Sequence, residues 1–399
     1  MKTINKVVNS VISLSKYIQH KNTDKLVKQI LSIAEFDSII QSPPKKLQNI
    51  IFVTPYMSKH SGGLTSVLRI AMRLSNSGIS VTFTCPTNNN VGQMMKNAND
   101  NLSNFNANYI TWDEANNNSY DFVIAVQDTY VYYARKLTGY LIYFVQDYEP
   151  YFNPMGDRYF LSKKSLELGE DIISLGKWNL QEIRRNNSID KLGSLSSIDF
   201  PFEVLEYPLV KKDFNGLKEK KEINIAVYVK RESKRLPGIV MNLLNQLYEK
   251  YYAEGINLNI YYFGLHRIEK VKYGTNLGRI SKTEIKELYD KCDFGMVASM
   301  TNISLVPYEM IASGLPVIEF KDGSYESFLG HDTAILLESF SINEFKTKID
   351  YYINNSQKLV DMCKKGQERI LNLSWDKSAE QFKCILENIV KQDNRMKDL

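Results

Sequence analysis

Residues 49–85 read NIIFVTPYMSKHSGGLTSVLRIAMRLSNSGISVTFTC. The apolar run at 49–56 is the pattern of a buried strand. A loop with Gly62-Gly63 follows, then Leu64, Val67, Leu68, Ala71, Met72 and Leu74 at helical spacing. Gly78 closes that helix, and the run 79–85 is the next strand. Strand, loop, helix, strand is the opening unit of a doubly wound parallel sheet.

The pattern continues outward. Apolar runs at 121–127, 140–146 and 171–176 predict three more buried strands, and the Asn-rich stretches at 88–90 and 116–118 predict surface loops. After the charged stretch KKDFNGLKEKKE (211–222), a second series begins with INIAVYV (223–229). A helix follows from Pro237, which suits a first turn. Strands are expected at 258–264, 293–299 and 315–320. SKTEIKELYDKC (281–292) predicts a helix with Ser281 and Glu284 as a capping box, and residues 305–314 predict another helix. The tail from Asn343 reads as helical almost to its end. The expected organisation is a helical extension at 1–45 and two α/β domains, 46–215 and 216–375. Their strand ends would face a central cleft, and ligands bind at such strand ends.

Composition narrows the function. The chain has 399 residues, room for two or three domains, and 43% of them are hydrophobic, as in a soluble globular protein. A net charge of +5 is too small and too evenly spread for nucleic acid; it suits an anionic small ligand or a membrane surface. The 25 Tyr and 18 Phe are a load found in sugar-handling and interface proteins. Cys85, Cys292, Cys363 and Cys384 lie far apart without metal-ligand spacing, so a reducing cytoplasm is the expected location. The first twenty residues are interrupted by Asn9, Ser10, Ser13, Ser15 and Lys16, too polar for a signal-peptide core. Apolar residues there recur at helical spacing and predict two short helices before Pro43-Pro44. Two roles fit this extension. It can pack on the main body or on a second copy of the chain. Alternatively, its Lys2, Lys6, Lys16, Lys21, Lys25 and Lys28 suit a helix lying on a membrane surface, with peripheral attachment.

Several chemistries are excluded by motif. There is no GxGxxG, no GxxxxGK[ST], no Asp-x-Asp, no His-Glu-x-x-His and no Gly-x-Ser-x-Gly. What remains is phosphate chemistry without a metal. Lys230, Arg231, Lys234 and Arg235 follow directly on the strand 223–229, where cations at a strand end can neutralise a diphosphate. The plain alternative is a solvated charged loop. The helix at 305–314 adds a second feature: its first turn, Ser304, Leu305 and Val306, offers free amides to an anion. Glu309 lies one turn deeper and is placed to accept from a ribose hydroxyl; otherwise it is a solvent-facing helix carboxylate. Gln146, Asp147 and Glu149 cap the end of the strand 140–146, and Tyr148, Tyr151 and Phe152 could stack on sugar rings. The alternative there is a packed loop whose carboxylates bind backbone amides. His60, just before Gly62, is the one histidine near these features; His20, His266 and His331 are read as structural or surface residues, and Trp178 and Trp375 as core.

SLVPYEMIASGLPVI (304–318) resembles the signature of family 4 glycosyltransferases, which have the two-domain GT-B fold. YFVQDYEPYFNPMGDRY (143–159), with IISLGKW after it, is similar to bacterial rhamnosyltransferases of that family, which build surface polysaccharide. The resemblance runs from about Asn49 to the C-terminus. It implies a GT-B fold whose last helix, within 376–399, returns to the first domain. It implies transfer with retention of anomeric configuration, in which the departing phosphate oxygen takes the acceptor proton. The donor would be a nucleotide sugar, dTDP-rhamnose above all and otherwise a UDP-sugar, with no metal or other cofactor. The acceptor would be a growing, lipid-linked surface glycan held by the N-terminal half. By the same resemblance Gly62 and Gly63 approach the donor diphosphate, Lys230 and Arg235 are its basic pair, and Glu309 contacts the nucleoside ribose. The family's first glutamate falls at Thr301, a departure shared with the related rhamnosyltransferases. Two other functions stand beside this one: a nucleotide-sugar epimerase on the same fold, and a non-catalytic GT-B partner subunit.

Overall fold

The structure is a computed structural model and describes residues 17–18, 21–59, 61–103, 105 and 107–397. It divides into two compact units, one taking residues up to 175 with 179–198 and 379 onward, the other 176–178 with 199–378.

The first unit is built on a seven-stranded sheet in the order β3-β2-β1-β4-β5-β6-β7. Its strands are β1 (Asn49–Val53), β2 (Ser80–Thr84), β3 (Asn108–Tyr109), β4 (Ser119–Ala125), β5 (Thr138–Val145), β6 (Asp171–Leu175) and β7 (Leu195–Ile198). All neighbours are parallel. Four of the five residues of β1 are buried, as expected of a central parallel strand covered on both faces. The helix Gly62–Asn76 buries Leu64, Val67, Leu68, Ile70, Ala71 and Leu74. Gly78 then takes φ 88°, and the chain turns into β2.

The described part of the extension packs on this unit. A helix covers 21–33, and Ile30 within it is buried. Phe36 meets Tyr132 edge-on at 5.7 Å. The Arg135 guanidinium donates to the Leu168 and Asp37 carbonyls, and the Gln41 side chain bonds both backbone groups of Leu141. The first of the two expected helices and His20 lie outside the described residues. Phe382 of the last helix, Trp375–Lys397, packs edge-on against Phe144 of β5 at 5.3 Å.

The second unit carries a six-stranded sheet in the order β10-β9-β8-β11-β12-β13. These are β8 (Glu222–Tyr228), β9 (Asn257–Phe263), β10 (Thr275–Gly278), β11 (Phe294–Met296), β12 (Val317–Phe320) and β13 (Ala334–Leu337), again all parallel. One core layer packs Val240, Leu243, Leu244 and Leu247 of the helix Pro237–Ala253 against β8 and β9. The other packs Tyr308, Met310 and Ile311 of the helix Leu305–Ala312 on the opposite face. The expected capping box forms: Ser281 and Glu284 each bond the other's backbone N–H. Trp178 and Trp375 are buried.

Candidate active site

In the second unit the candidate residues gather where β8 and β11 end. The chain leaves β8 through Lys230, makes a short 3-10 turn at Ser233–Arg235, and enters the helix at Pro237. Leu236 joins them at φ 44° and ψ 47°, the one non-glycine residue with positive φ among the described residues. Strained backbone of this kind persists where its surroundings demand it. Here it turns Arg235 inward, to 4% exposure. Arg235 Nη1 donates to the Ala298 carbonyl at 2.8 Å and lies 3.5 Å from Ser299 Oγ. The Met300 N–H donates to the Lys234 carbonyl, so the 298–301 turn and the basic turn are tied together. Lys230 stays half-exposed, 3.7 Å from Glu232. Its ammonium and the Arg235 guanidinium both lie over the Tyr228 ring, at 5.8 and 5.7 Å from its centre. Arg231 turns instead to Glu269 at 2.7 Å. A solvated loop therefore does not describe Arg235.

The 298–301 turn leads to the helix Leu305–Ala312. Thr301 is buried, and Leu305 and Val306 are half-buried. Ser304 stands at the cap position, yet its hydroxyl makes no capping bond and has no partner in the protein. A bare helix start with an unused hydroxyl is suited to an anion. Glu309 is buried, not solvent-facing: Tyr207 donates to its Oε1 at 2.9 Å. Burial pushes this carboxyl above the ordinary glutamate range, with Tyr207 and Lys282 opposing the shift. Lys282 also lies over the Tyr207 ring at 5.4 Å.

In the first unit, Gly62 and Gly63 open the helix after β1 and are exposed. Neither has positive φ, so conformation does not demand glycine. A Cβ at Gly62 would meet nothing within 4 Å, and one at Gly63 only the Gln146 side chain at 3.4 Å. What the two glycines provide is open backbone at a helix start. Ser61 caps this helix and is held by Asn101. Asp147 is buried and accepts from the Tyr148 N–H at 2.9 Å. Glu149 accepts from the Asp128 N–H and, at 2.8 Å, from the Tyr143 hydroxyl. Burial pushes Glu149 well above the usual carboxylate range, and the nearby Asp128 reinforces the shift. The ends of β1, β4 and β5 thus bring Gly63, Asp128 and the 146–149 segment together. The amide bonds expected of a packed loop are present at both carboxylates. Tyr151 and Phe152 are exposed. His60 lies outside the described residues.

Tyr207, Ser299, Asp128 and Glu319 were not among the expected site residues. Tyr207 sits in an irregular stretch with no local signal. Glu319 had one: a charged residue inside the apolar run LPVIEF.

No curated protein sequence matches the chain. Residues 269–369 match the family model Glycosyl transferases group 1. Among solved structures the chain is similar to HepE of Anabaena in complex with UDP and glucose, at 13% identity and a TM-score of 0.63, covering 86% of this chain and 100% of that one. Sucrose-phosphate synthase of Thermosynechococcus elongatus gives the same four values. A mutant of S. aureus TarM in complex with fondaparinux, α-GlcNAc-glycerol and UDP is similar at 10% identity and a TM-score of 0.61, covering 86% of this chain and 100% of that one. Residues 269–369 thus form a group 1 glycosyltransferase domain, and the chain has the GT-B fold of the glycosyltransferase structures it resembles.

Proposed function

We propose that the protein is a metal-independent, retaining glycosyltransferase that moves L-rhamnose from dTDP-rhamnose onto a growing, lipid-linked surface glycan at the cytoplasmic face of the membrane. One observation carries the donor part. A buried guanidinium, an uncapped helix start and a buried glutamate held by a tyrosine share the strand ends of the second unit. Arg235 and Lys230 would neutralise the departing diphosphate together with the amides after Ser304. Glu309 has lone pairs enough for both Tyr207 and a ribose hydroxyl. In the first unit, Gly62 and Gly63 would offer unobstructed backbone to a phosphate. Thr301 would lie against the donor sugar. Asp147 and Glu149 would hold the acceptor side, with the leaving phosphate oxygen taking the acceptor proton. The UDP complexes of HepE and TarM support a nucleotide-sugar donor. The rhamnosyl donor rests on residues 143–159. No described helix is long and apolar enough to cross a membrane, so attachment would be peripheral.

Glu309→Gln is expected to weaken dTDP binding by about 1–3 kcal/mol while leaving the fold intact. The glutamine carbonyl can still accept from Tyr207, and no buried charge is lost from an ion pair. Isothermal titration with dTDP and UDP is the measurement. Unchanged dTDP affinity would remove Glu309 from the ribose site. Much tighter UDP binding would overturn the rhamnosyl donor and leave the transferase standing.

The chain has no Asp-x-Asp pair, and no described cluster of three or more His, Cys, Asp or Glu is arranged to hold a metal. Donor turnover is therefore expected to persist in EDTA. Loss in EDTA, restored by manganese or magnesium, would contradict the metal-independent mechanism.

A further inference from the structure

Glu319 lies within β12, whose residues are all buried, and is itself 0% exposed. A carboxyl so placed costs stability unless its oxygens are engaged. Its Oε2 accepts from the Ser299 N–H at 3.0 Å and the Phe320 N–H at 3.3 Å. Its Oε1 has no hydrogen-bond partner in the protein. Ser299 faces Arg235 as well, its Oγ 3.5 Å from Nη1, and the buried Arg235 Nε also lacks a partner. The Ser324 N–H and hydroxyl both donate to the Ser299 carbonyl and lock the turn from its other side. Among the described residues, the charged or titratable groups facing Glu319 are Arg235, from the basic turn, and Tyr325, from the helix Tyr325–Leu329.

We propose that Glu319 is a positioning residue of the donor diphosphate subsite: through Ser299 it sets Arg235, and it takes up a proton as the diphosphate arrives. The inference rests on the reading of Arg235 as a diphosphate contact. Without ligand, Arg235 favours the ionised carboxylate. An incoming diphosphate claims that positive charge and adds negative charge in a poorly screened interior. The carboxylate answers by forming one O–H bond with a proton drawn from the buffer. Burial already pushes free Glu319 up to about 7, with Ser299 and Arg235 opposing. Binding raises it further, so affinity is greatest at low pH and falls as pH rises above about 7. Below that pH the free protein already holds the proton and uptake vanishes.

The test is calorimetric titration of the full chain with UDP-glucose and dTDP-glucose at about pH 8, in two buffers of different ionisation enthalpy. Neither probe's diphosphate titrates there. The expected result is a binding enthalpy that differs between buffers, by an amount corresponding to about half a proton per donor. Affinity should fall roughly five- to tenfold between about pH 6.5 and 8.5. Glu319→Gln should abolish the buffer dependence and flatten the pH profile. The parent measurement is decisive even if that variant does not fold. A parent enthalpy independent of buffer overturns the inference, and so does uptake that persists in Glu319→Gln. Parent-like affinity in Arg235→Ala overturns the diphosphate reading itself. Binding that depends on Arg235 but takes up no proton sinks the Glu319 proposal alone. If neither nucleotide sugar binds, the donor reading and this inference fall together.

Discussion

Replacing Arg235 by alanine is expected to lower kcat/KM for the nucleotide sugar roughly 10- to 100-fold, equivalent to ~1.5–3 kcal/mol for a charge-assisted contact made away from water. Arg235 is nearly inaccessible, and part of its fork is spent on Ala298 and Ser299. A guanidinium has five N–H groups, so donors remain for a diphosphate. Because charge builds on the leaving group during transfer, kcat should fall along with kcat/KM. Lys230→Ala should also weaken donor use strongly, since its ammonium shares the Tyr228 ring with Arg235. Lys234→Ala should cost less. Steady-state kinetics with a donor series, at matched thermal stability, is the check. Equal losses in all three variants would show that the site responds to net charge and that the diphosphate contacts are wrongly assigned.

The basic turn is uniform in sequence and not uniform in space. KRESKR (230–235) gives no sign that Arg231 turns to Glu269 while Arg235 is driven into the core. The difference comes from Leu236 in the left-handed region, followed by Pro237, a combination the residue pattern did not announce.

The fold was legible where strands are buried on both faces, since these appear as unbroken apolar runs. All nine strands expected from such runs are present. The four that were not expected, β3, β7, β10 and β13, are the two edges of each sheet. An edge strand is short and covered by fewer neighbours, so NY, LSSI and TNLG carry no apolar run, and AILL is too brief to stand out. The site divides the same way. Gly62, Gly63, Arg235 and Glu309 stand in contiguous motifs, which make each a candidate on its neighbours alone. Tyr207 meets Glu309 across 102 residues, and Arg235 meets Ala298 across 63. Such pairings exist only once the sheet order is set, and no local periodicity encodes them.

Glu170→Gln is expected to stabilise the protein by roughly 3–5 kcal/mol near pH 8.5 and by almost nothing near pH 4.5. Glu170 is 0% exposed, and neither carboxyl oxygen has a hydrogen-bond partner in the protein. Burial pushes it up to about 8, with Arg135 opposing and Asp171 adding to the rise. The sign follows from proton counting. Between about 4.5 and 8 the native state holds a proton that the unfolded chain has released, so stability falls as pH rises through that window. Above it both states are ionised, and the native state retains the full cost of a buried, unpartnered carboxylate. Glutamine keeps the shape and never ionises, so its advantage should grow across the same interval and then level off. Urea denaturation of parent and variant at several pH values would show this as a widening gap in midpoint at constant m. A gap independent of pH would mean that the Glu170 carboxyl is not the titrating group. Glu170 lies outside the proposed donor and acceptor residues, so donor kinetics should stay near parent values in Glu170→Gln. Glu319 and Glu309 have raised values of the same origin but sit at the site, where neutral substitutions should stabilise the fold and disturb donor binding together.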